Sequence, residues 1–318
     1  MDETDGACVG KLKNSLCKKT NLKDNLEVGQ VGDTITNNNN NEESLLRMEG
    51  SATAPTILTD LSYYKMDHQY RGLLIIFNHE KYEKETKLNG QPRLGTDKDV
   101  EKIRSAFKAI GFEVHMFKDM LLHEIRQQID LYVKSQHYHR LRDCFAIFVL
   151  THGDQNLLWA RDACYDPADV IWSKLTGDKC PALAGKPKLM FFQACQGDKL
   201  DPGVKLIFPR SPRTEVDGGF FQEIPVCADF LLCYATYPGY YAFRNERKGS
   251  YWVTVLCEEL VKRYVHTDIM HILTMVNNRM GIEFSSYNSD KVKNNKRQIS
   301  YFSSSLTKIL VFGQKMRT

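Results

Sequence analysis

The first 62 residues contain no phenylalanine, tryptophan or tyrosine, although the chain carries 16 Phe, 15 Tyr and 3 Trp. A polar stretch of this kind, with the run Asn37 to Asn41, buries too little apolar area to offset the entropy of ordering. Residues 1–62 therefore read as a disordered leader, too poor in core residues to be a helical recruitment domain. Nor is there an apolar run near the roughly 18 residues that a bilayer span needs. The opening Met1-Asp2-Glu3-Thr4-Asp5 is acidic and has no apolar h-region, which argues against a secretory signal and for the cytoplasm. A formal charge of +4 over 318 residues, without a clustered basic stripe, gives no footing for nucleic acid. The nine cysteines lack paired short spacings and the nine histidines do not group with them, so neither a metal site nor a cofactor is expected. Several cysteines (Cys144, Cys233, Cys257) lie inside apolar segments. Buried reduced thiols of a cytosolic protein explain them better than a disulfide framework.

What is present begins near Arg71. Leu73-Leu74-Ile75-Ile76-Phe77 is a continuous apolar run, as expected of a strand covered on both faces. Thr96 and Asp97 offer N-caps to a helix with the stripe Val100, Ile103, Phe107 and Ile110, closed by Gly111. Phe112 to Phe117 reads as a strand, and Ile125, Ile129 and Val133 mark a second helix. Strands follow at Phe145–Leu150, Lys188–Gln193 and Ala228–Thr236, then helices near Ser250–Tyr264 and Asp268–Glu283. A last strand is expected over about Leu306–Phe312. This alternation predicts an α/β fold, a mostly parallel sheet between helical layers. Residues 198–224, with Pro202, Gly203, Pro209, Pro212, Gly218 and Gly219, have no sustained period; a stretch this long is usually functional or disordered.

Two strand ends carry the chemistry. Leu189-Met190-Phe191-Phe192 runs into Gln193-Ala194-Cys195-Gln196-Gly197, and Phe145–Leu150 runs into Thr151-His152-Gly153, 43 residues before the thiol. The crevice beyond the carboxyl ends of parallel strands is where such sheets expose reactive groups. A Cys–His pair splits amide hydrolysis into acylation and deacylation, His152 protonating the leaving amine. The N–H groups of Gly153 and Cys195 are candidate receivers of the oxyanion. Alone, Cys195 would read as a structural thiol and His152 as an ordinary loop histidine. Together, each after a strand and beside glycine, they read as nucleophile and base.

The Cys pentapeptide with its upstream His is the pattern of caspases. The resemblance extends over about residues 63–318 through Arg93-Leu94-Gly95-Thr96-Asp97, Gly185-Lys186-Pro187-Lys188-Leu189, Ile224-Pro225-Val226, Ala228-Asp229-Phe230-Leu231, Pro238-Gly239-Tyr240-Tyr241 and Arg244-Asn245. The chain most resembles the short-prodomain effector caspases of insects. That resemblance implies a three-layer sandwich and cleavage of protein substrates after Asp. Arg93, Gln193 and Arg244 stand where the family holds the Asp carboxylate, a task that suits the planar, permanently charged guanidinium. Asn245 stands where an acidic residue three places before the cleaved Asp is selected, and Tyr241 and Phe243 where the groove is walled. Thr214-Glu215-Val216-Asp217 before Gly218 is a cleavable loop tip. Cleavage after Asp217 would divide a leader (1–62), a large subunit (63–217) and a small subunit (218–318). Asp5, Asp33 and Asp60 are candidates for leader removal. The implied partners are an upstream initiator caspase, inhibitor-of-apoptosis proteins and a second copy in a homodimer.

The sequence departs from the family pattern in places. Phe243 and Ala242 replace the usual Trp and Ser, Tyr251-Trp252 replaces Trp-Phe, and Ile299-Ser300-Tyr301 replaces Ile-Pro-Cys near the dimer strand. Replacing Pro adds a backbone donor and Tyr is far larger than Cys, so that seam must repack. The alternative is a catalytically weak homologue acting as a regulator or decoy through protein binding. A Cys-based phosphatase is excluded, because it needs Arg five residues after the thiol and position 200 is Leu.

Overall fold

The computed structural model describes residues 2–4, 62–154, 156–203 and 227–314. Its centre is a six-stranded sheet. In chain order the sheet strands are β2 (Tyr70–Asn78), β3 (Phe112–Lys118), β4 (Arg142–Leu150), β8 (Lys188–Gln193), β9 (Phe230–Tyr234) and β11 (Tyr301–Ser304), in the spatial order β11-β9-β8-β4-β2-β3. The other strands are β1 (Asp2–Thr4), which pairs with β10 (Phe243–Asn245), and β5 (Gly153–Asp154), β6 (Leu157–Trp159) and β7 (Cys164–Tyr165), which form a small sheet beside β4. All contacts between neighbours in the large sheet are parallel except β11 on β9. Helices α1 (Thr96–Ile110), α2 (Leu122–Lys134), α3 (Gln136–Arg140), α4 (Pro167–Val170), α5 (Tyr251–Arg263) and α6 (Ile269–Glu283) complete the order.

The strand period of two divides the core. Leu74, Ile76, Ala146, Phe148 and Phe191 face α1, α5 and α6, packing on Ile103, Phe107, Trp252 and Val276. Leu73, Ile75, Phe77, Ile147, Val149 and Phe192 face the other way onto Ile125, Ile129 and Ile171. Both faces are thus covered, which is why β2, β4 and β8 read as unbroken apolar runs. Each fully buried large side chain contributes about 1.5–3 kcal/mol by burial; Trp252, 5.8 Å from Phe148 between ring centres, is one.

Three expectations need correction. Leu306–Phe312 is not a strand: Leu310 and Phe312 are buried against the α1/α5/α6 side, Ile269 N–H donates to the Leu310 carbonyl at 2.9 Å, and the segment has one isolated bridge, Tyr63 to Ile309. The last strand is instead Tyr301–Ser304, antiparallel on the sheet edge. Thr96 and Asp97 do not cap α1. Gly95 precedes it in the left-handed region, and Thr96 Oγ1 donates to Asn78 Oδ1 while receiving Arg93 Nη1. Finally, 198–203, the start of the loop expected to lack structure, is tied down. Lys199 N–H donates to the Gly239 carbonyl, Tyr241 N–H to the Lys199 carbonyl and Arg297 N–H to the Asp201 carbonyl. Residues 204–226, with Asp217, and 5–61, with Asp5, Asp33 and Asp60, lie outside the described residues. Among the described residues no helix is long and apolar enough to cross a membrane.

Candidate active site

The register of the sheet sets the site. Leu150, the last residue of β4, pairs with Gln193, the last residue of β8, and Thr151 N–H donates to the Gln193 carbonyl at 3.2 Å. His152 and Cys195 each follow two residues beyond that pair, on neighbouring strands leaving the sheet at one level. Gly153 and Cys195 then meet backbone to backbone: a Cβ on Gly153 would stand 2.5 Å from the Cys195 carbonyl oxygen and 2.9 Å from Ala194 Cβ. Only glycine allows that approach. Cys195 is buried, and its Sγ receives the N–H of Ala242 at 3.2 Å, a donor that suits a thiolate.

His152 is oriented by neighbours the sequence did not reveal. Its Nε2 lies 3.1 Å from the Gln91 carbonyl, which can only accept. Nε2 therefore carries the proton, and in the neutral ring Nδ1 holds the lone pair that a base needs. Tyr82 packs its ring 5.1 Å from the imidazole and its hydroxyl takes the His152 N–H at 3.0 Å. Gln91 acts through a main-chain oxygen, which no side-chain motif advertises.

Arg93 and Arg244 are 151 positions apart in sequence and are held in one cluster. Arg93 is fully buried, donating from Nη1 to the His79 carbonyl and to Thr96 Oγ1, each at 3.0 Å. Arg244, on β10, is 3% exposed and donates from Nε to the Leu94 carbonyl at 2.9 Å. Between them Gly95 (φ +84°) presses against the chain at Glu246, whose carbonyl oxygen a Cβ would meet at 2.4 Å. Behind the pair lies the fully buried Asp99, received by Ser250 through N–H and Oγ–H donors, each at 2.7 Å. Burial raises the Asp99 carboxyl above the usual carboxylate range, against the opposing pull of Ser250, Arg93 and Arg244. Both guanidinium groups thus act on the same buried carboxyl. Gln193, at the end of β8, is buried at the same rim.

Residues 71–311 match the sequence profile of the caspase domain. The chain belongs to the caspase family. Caspase-1 of Spodoptera frugiperda is 38% identical over 291 residues, covering 90% of this chain and 91% of that protein. Caspase drICE of Drosophila melanogaster is 40% identical over 255 residues, 79% of this chain and 73% of that protein. The crystal structure of the Spodoptera caspase-1 superposes with a TM-score of 0.72 at 39% identity, covering 81% of this chain and 96% of that one. As a caspase the protein is a cysteine-type endopeptidase, and the expected fold class is borne out.

The remaining predicted groove residues of this caspase lie on or beside β10. Asn245 closes a turn: its Oδ1 receives Arg247 N–H and Lys248 N–H at 3.0 and 2.9 Å, which turns the donor end of the amide the other way. Phe243 is buried 5.6 Å from Phe284 between ring centres, and its N–H donates to Gln298 Oε1 at 2.9 Å. Tyr241 is half-buried against the core on the α5/α6 side. Sequence reasoning passed over Asp99 as a first-turn acid, over Tyr82, and over His79. Burial, with Arg93 and Arg161 adding to it, pushes the His79 imidazole down to about 3. Ser300 and Tyr301, the departures near the dimer strand, are accommodated. Ser300 Oγ–H donates to Asn277 Oδ1, and Tyr301 stacks on Tyr234 at 6.1 Å.

Proposed function

We propose that this caspase cuts protein substrates after aspartate, with Cys195 as nucleophile, His152 as general base and then acid, and the N–H groups of Gly153 and Cys195 receiving the oxyanion. One observation carries this reading: Arg93 and Arg244, both buried, are held together beside the Cys195 rim. Two guanidinium groups at one rim present planar forks of donors, the geometry that matches a substrate carboxylate. Gln193 completes the pocket, while Asn245, Tyr241 and Phe243 read the residues before the Asp, an acidic one three places earlier among them. The enzyme is a cytoplasmic zymogen of apoptosis, activated by an initiator caspase that cuts after Asp217 into a 63–217 and a 218–318 subunit. Leader removal falls at Asp5, Asp33 or Asp60. Inhibitor-of-apoptosis proteins restrain it, and two such pairs join through the β11 edge as a homodimer.

The test uses processed enzyme and peptides Thr-Glu-Val-X with X as Asp, Glu or Asn. Asp is expected to be turned over at least about a thousandfold faster than Asn, because Asn leaves the guanidinium pair unmatched. Turnover of none of the three, with Cys195 unreactive towards a peptide aldehyde ending in Asp, would overturn the reading.

A further inference from the structure

His152 leaves the sheet between two neighbours. Asn78, the last residue of β2, pairs with Leu150 of β4, as Leu150 pairs with Gln193 of β8. The carboxyl ends of three adjacent parallel strands therefore open on one rim. The thiol follows β8, the base follows β4, and residues 79–82 follow β2. Four hydrogen bonds close a ring around the base. His152 N–H donates to the Tyr82 hydroxyl at 3.0 Å, and Trp159 N–H donates to the His152 carbonyl at 3.1 Å. Thr151 Oγ1 donates in turn to the Trp159 carbonyl. A threonine hydroxyl has one hydrogen, so the 2.9 Å contact between Tyr82 and Thr151 takes its proton from Tyr82. Both peptide units flanking the His152 α-carbon are thus held, one by Tyr82 and the other by Trp159.

The segment that carries Tyr82 also carries the pocket. Arg93 N–H donates to the Glu80 carbonyl at 2.8 Å, and Arg93 Nη1 to the His79 carbonyl at 3.0 Å. The segment is clamped from the far side. Asp119, just beyond β3, receives Glu80 N–H and Lys81 N–H on Oδ1 at 2.6 and 3.0 Å, and Glu83 N–H donates to the Arg161 carbonyl at 2.9 Å. Residues 79–82 therefore meet Arg93 through two carbonyls and His152 through one hydroxyl.

We propose that Tyr82 is a positioning residue of the reaction, its hydroxyl holding the His152 backbone at a set distance from the pocket that Arg93 builds on the same segment. The proposal rests on the reading of the site given above. A substrate held by its Asp carboxylate at Arg93 presents the neighbouring carbonyl to Cys195 and the leaving nitrogen to His152. The span from Arg93 to His152 then decides whether the proton reaches that nitrogen, and a misplacement of about 1 Å is enough to slow such a step. Tyr82 touches neither substrate nor reacting atoms in this scheme; it acts through the base alone.

The test uses processed enzyme as parent, Tyr82→Phe, Thr151→Val and the double variant. Tyr82→Phe keeps the ring and loses the hydroxyl; Thr151→Val keeps the shape and removes the acceptor of that hydroxyl. Each preparation is titrated with a peptide fluoromethyl ketone ending in Asp, which alkylates Cys195, so that kcat is counted per working site and unfolded chains do not enter. For Tyr82→Phe a kcat lowered about tenfold or more is expected, with KM within about twofold because Arg93 keeps its carbonyl partners. Thr151→Val should act in the same direction. The two side chains serve one ring, so the double variant should be slowed no more than the slower single one. An unchanged kcat in Tyr82→Phe would overturn the proposal and leave the reading of the site intact. So would a KM that rises as much as kcat falls, which would put the hydroxyl in the service of substrate binding, or a double variant slowed by the product of the two single effects. A parent enzyme that the ketone does not alkylate would overturn the reading of the site, and the proposal with it.

Discussion

Arg244 shows how much a single side chain is asked to do. Its Nε is spent on the Leu94 carbonyl, so the fork must serve both the fold and the substrate. Arg244→Lys keeps the charge and loses the fork. It is expected to lower kcat/KM for an Asp peptide about 10- to 100-fold, the worth of one charged hydrogen bond of about 1.5–3 kcal/mol. A melting temperature within a degree or two of the parent would place the loss in the pocket. His79 makes the pH dependence explicit. Its folded value of about 3 lies below the ordinary 6.5, so the unfolded chain binds more protons between those values. Stability is therefore lost as pH falls from about 6.5 towards 3, with a slope of up to about 1.4 kcal/mol per pH unit. Urea unfolding of His79→Gln against the parent at pH 7 and pH 5 should show a smaller fall for the variant. An equal fall would mean that the buried imidazole takes no part.

At the scale of elements, the chain announced what its covering demanded. β2, β4 and β8 were legible because burial on both faces leaves no room for polar alternation. β11 was not, because Tyr301-Phe302-Ser303-Ser304 is short and half polar on an exposed edge. The stretch 306–312 misled because Leu306, Leu310 and Phe312 pack against the helical layer, which demands apolar residues as a strand would. Cys195 and His152 were visible from strand ends and glycines. Gln91 and the acidic strand β1 were not, one being a carbonyl and the other a three-residue pairing across the chain. Gly95 joins element to site. Gly95→Ala puts a Cβ into the Glu246 carbonyl at a backbone angle that side chains rarely adopt, a cost of about 1–3 kcal/mol. Both arginine-bearing segments must shift, so a lower melting temperature and a KM raised more than kcat is lowered are expected. Unchanged steady-state constants would show that the Arg93 and Arg244 segments do not depend on this contact.

At the scale of the whole molecule, Cys195, His152, Arg93 and Gln193 precede residue 204 while Arg244 follows residue 226, so the proposed cut after Asp217 falls between the thiol and one of the pocket's two arginines. Asp217→Ala is expected to give a chain that stays in one piece with processed enzyme and turns over Asp peptides at least about tenfold more slowly than the cut form. Cleavage persisting at the 217–218 bond would overturn that assignment.

The β8–β9 ladder gains a meaning from this arrangement. Five residue pairs, Lys188 with Phe230 through Phe192 with Tyr234, bind the two sides of the cut in the middle of the sheet, and α5 and α6 roof strands that belong to the other side. These pairs and packing contacts all lie outside 204–226, so a cut there leaves them in place and the two pieces should remain a noncovalent heterodimer. Neither piece has a closed core without the other. Expressed apart, each would be an orphan, and activity would return only on mixing, as in a split reporter whose halves must find each other to signal.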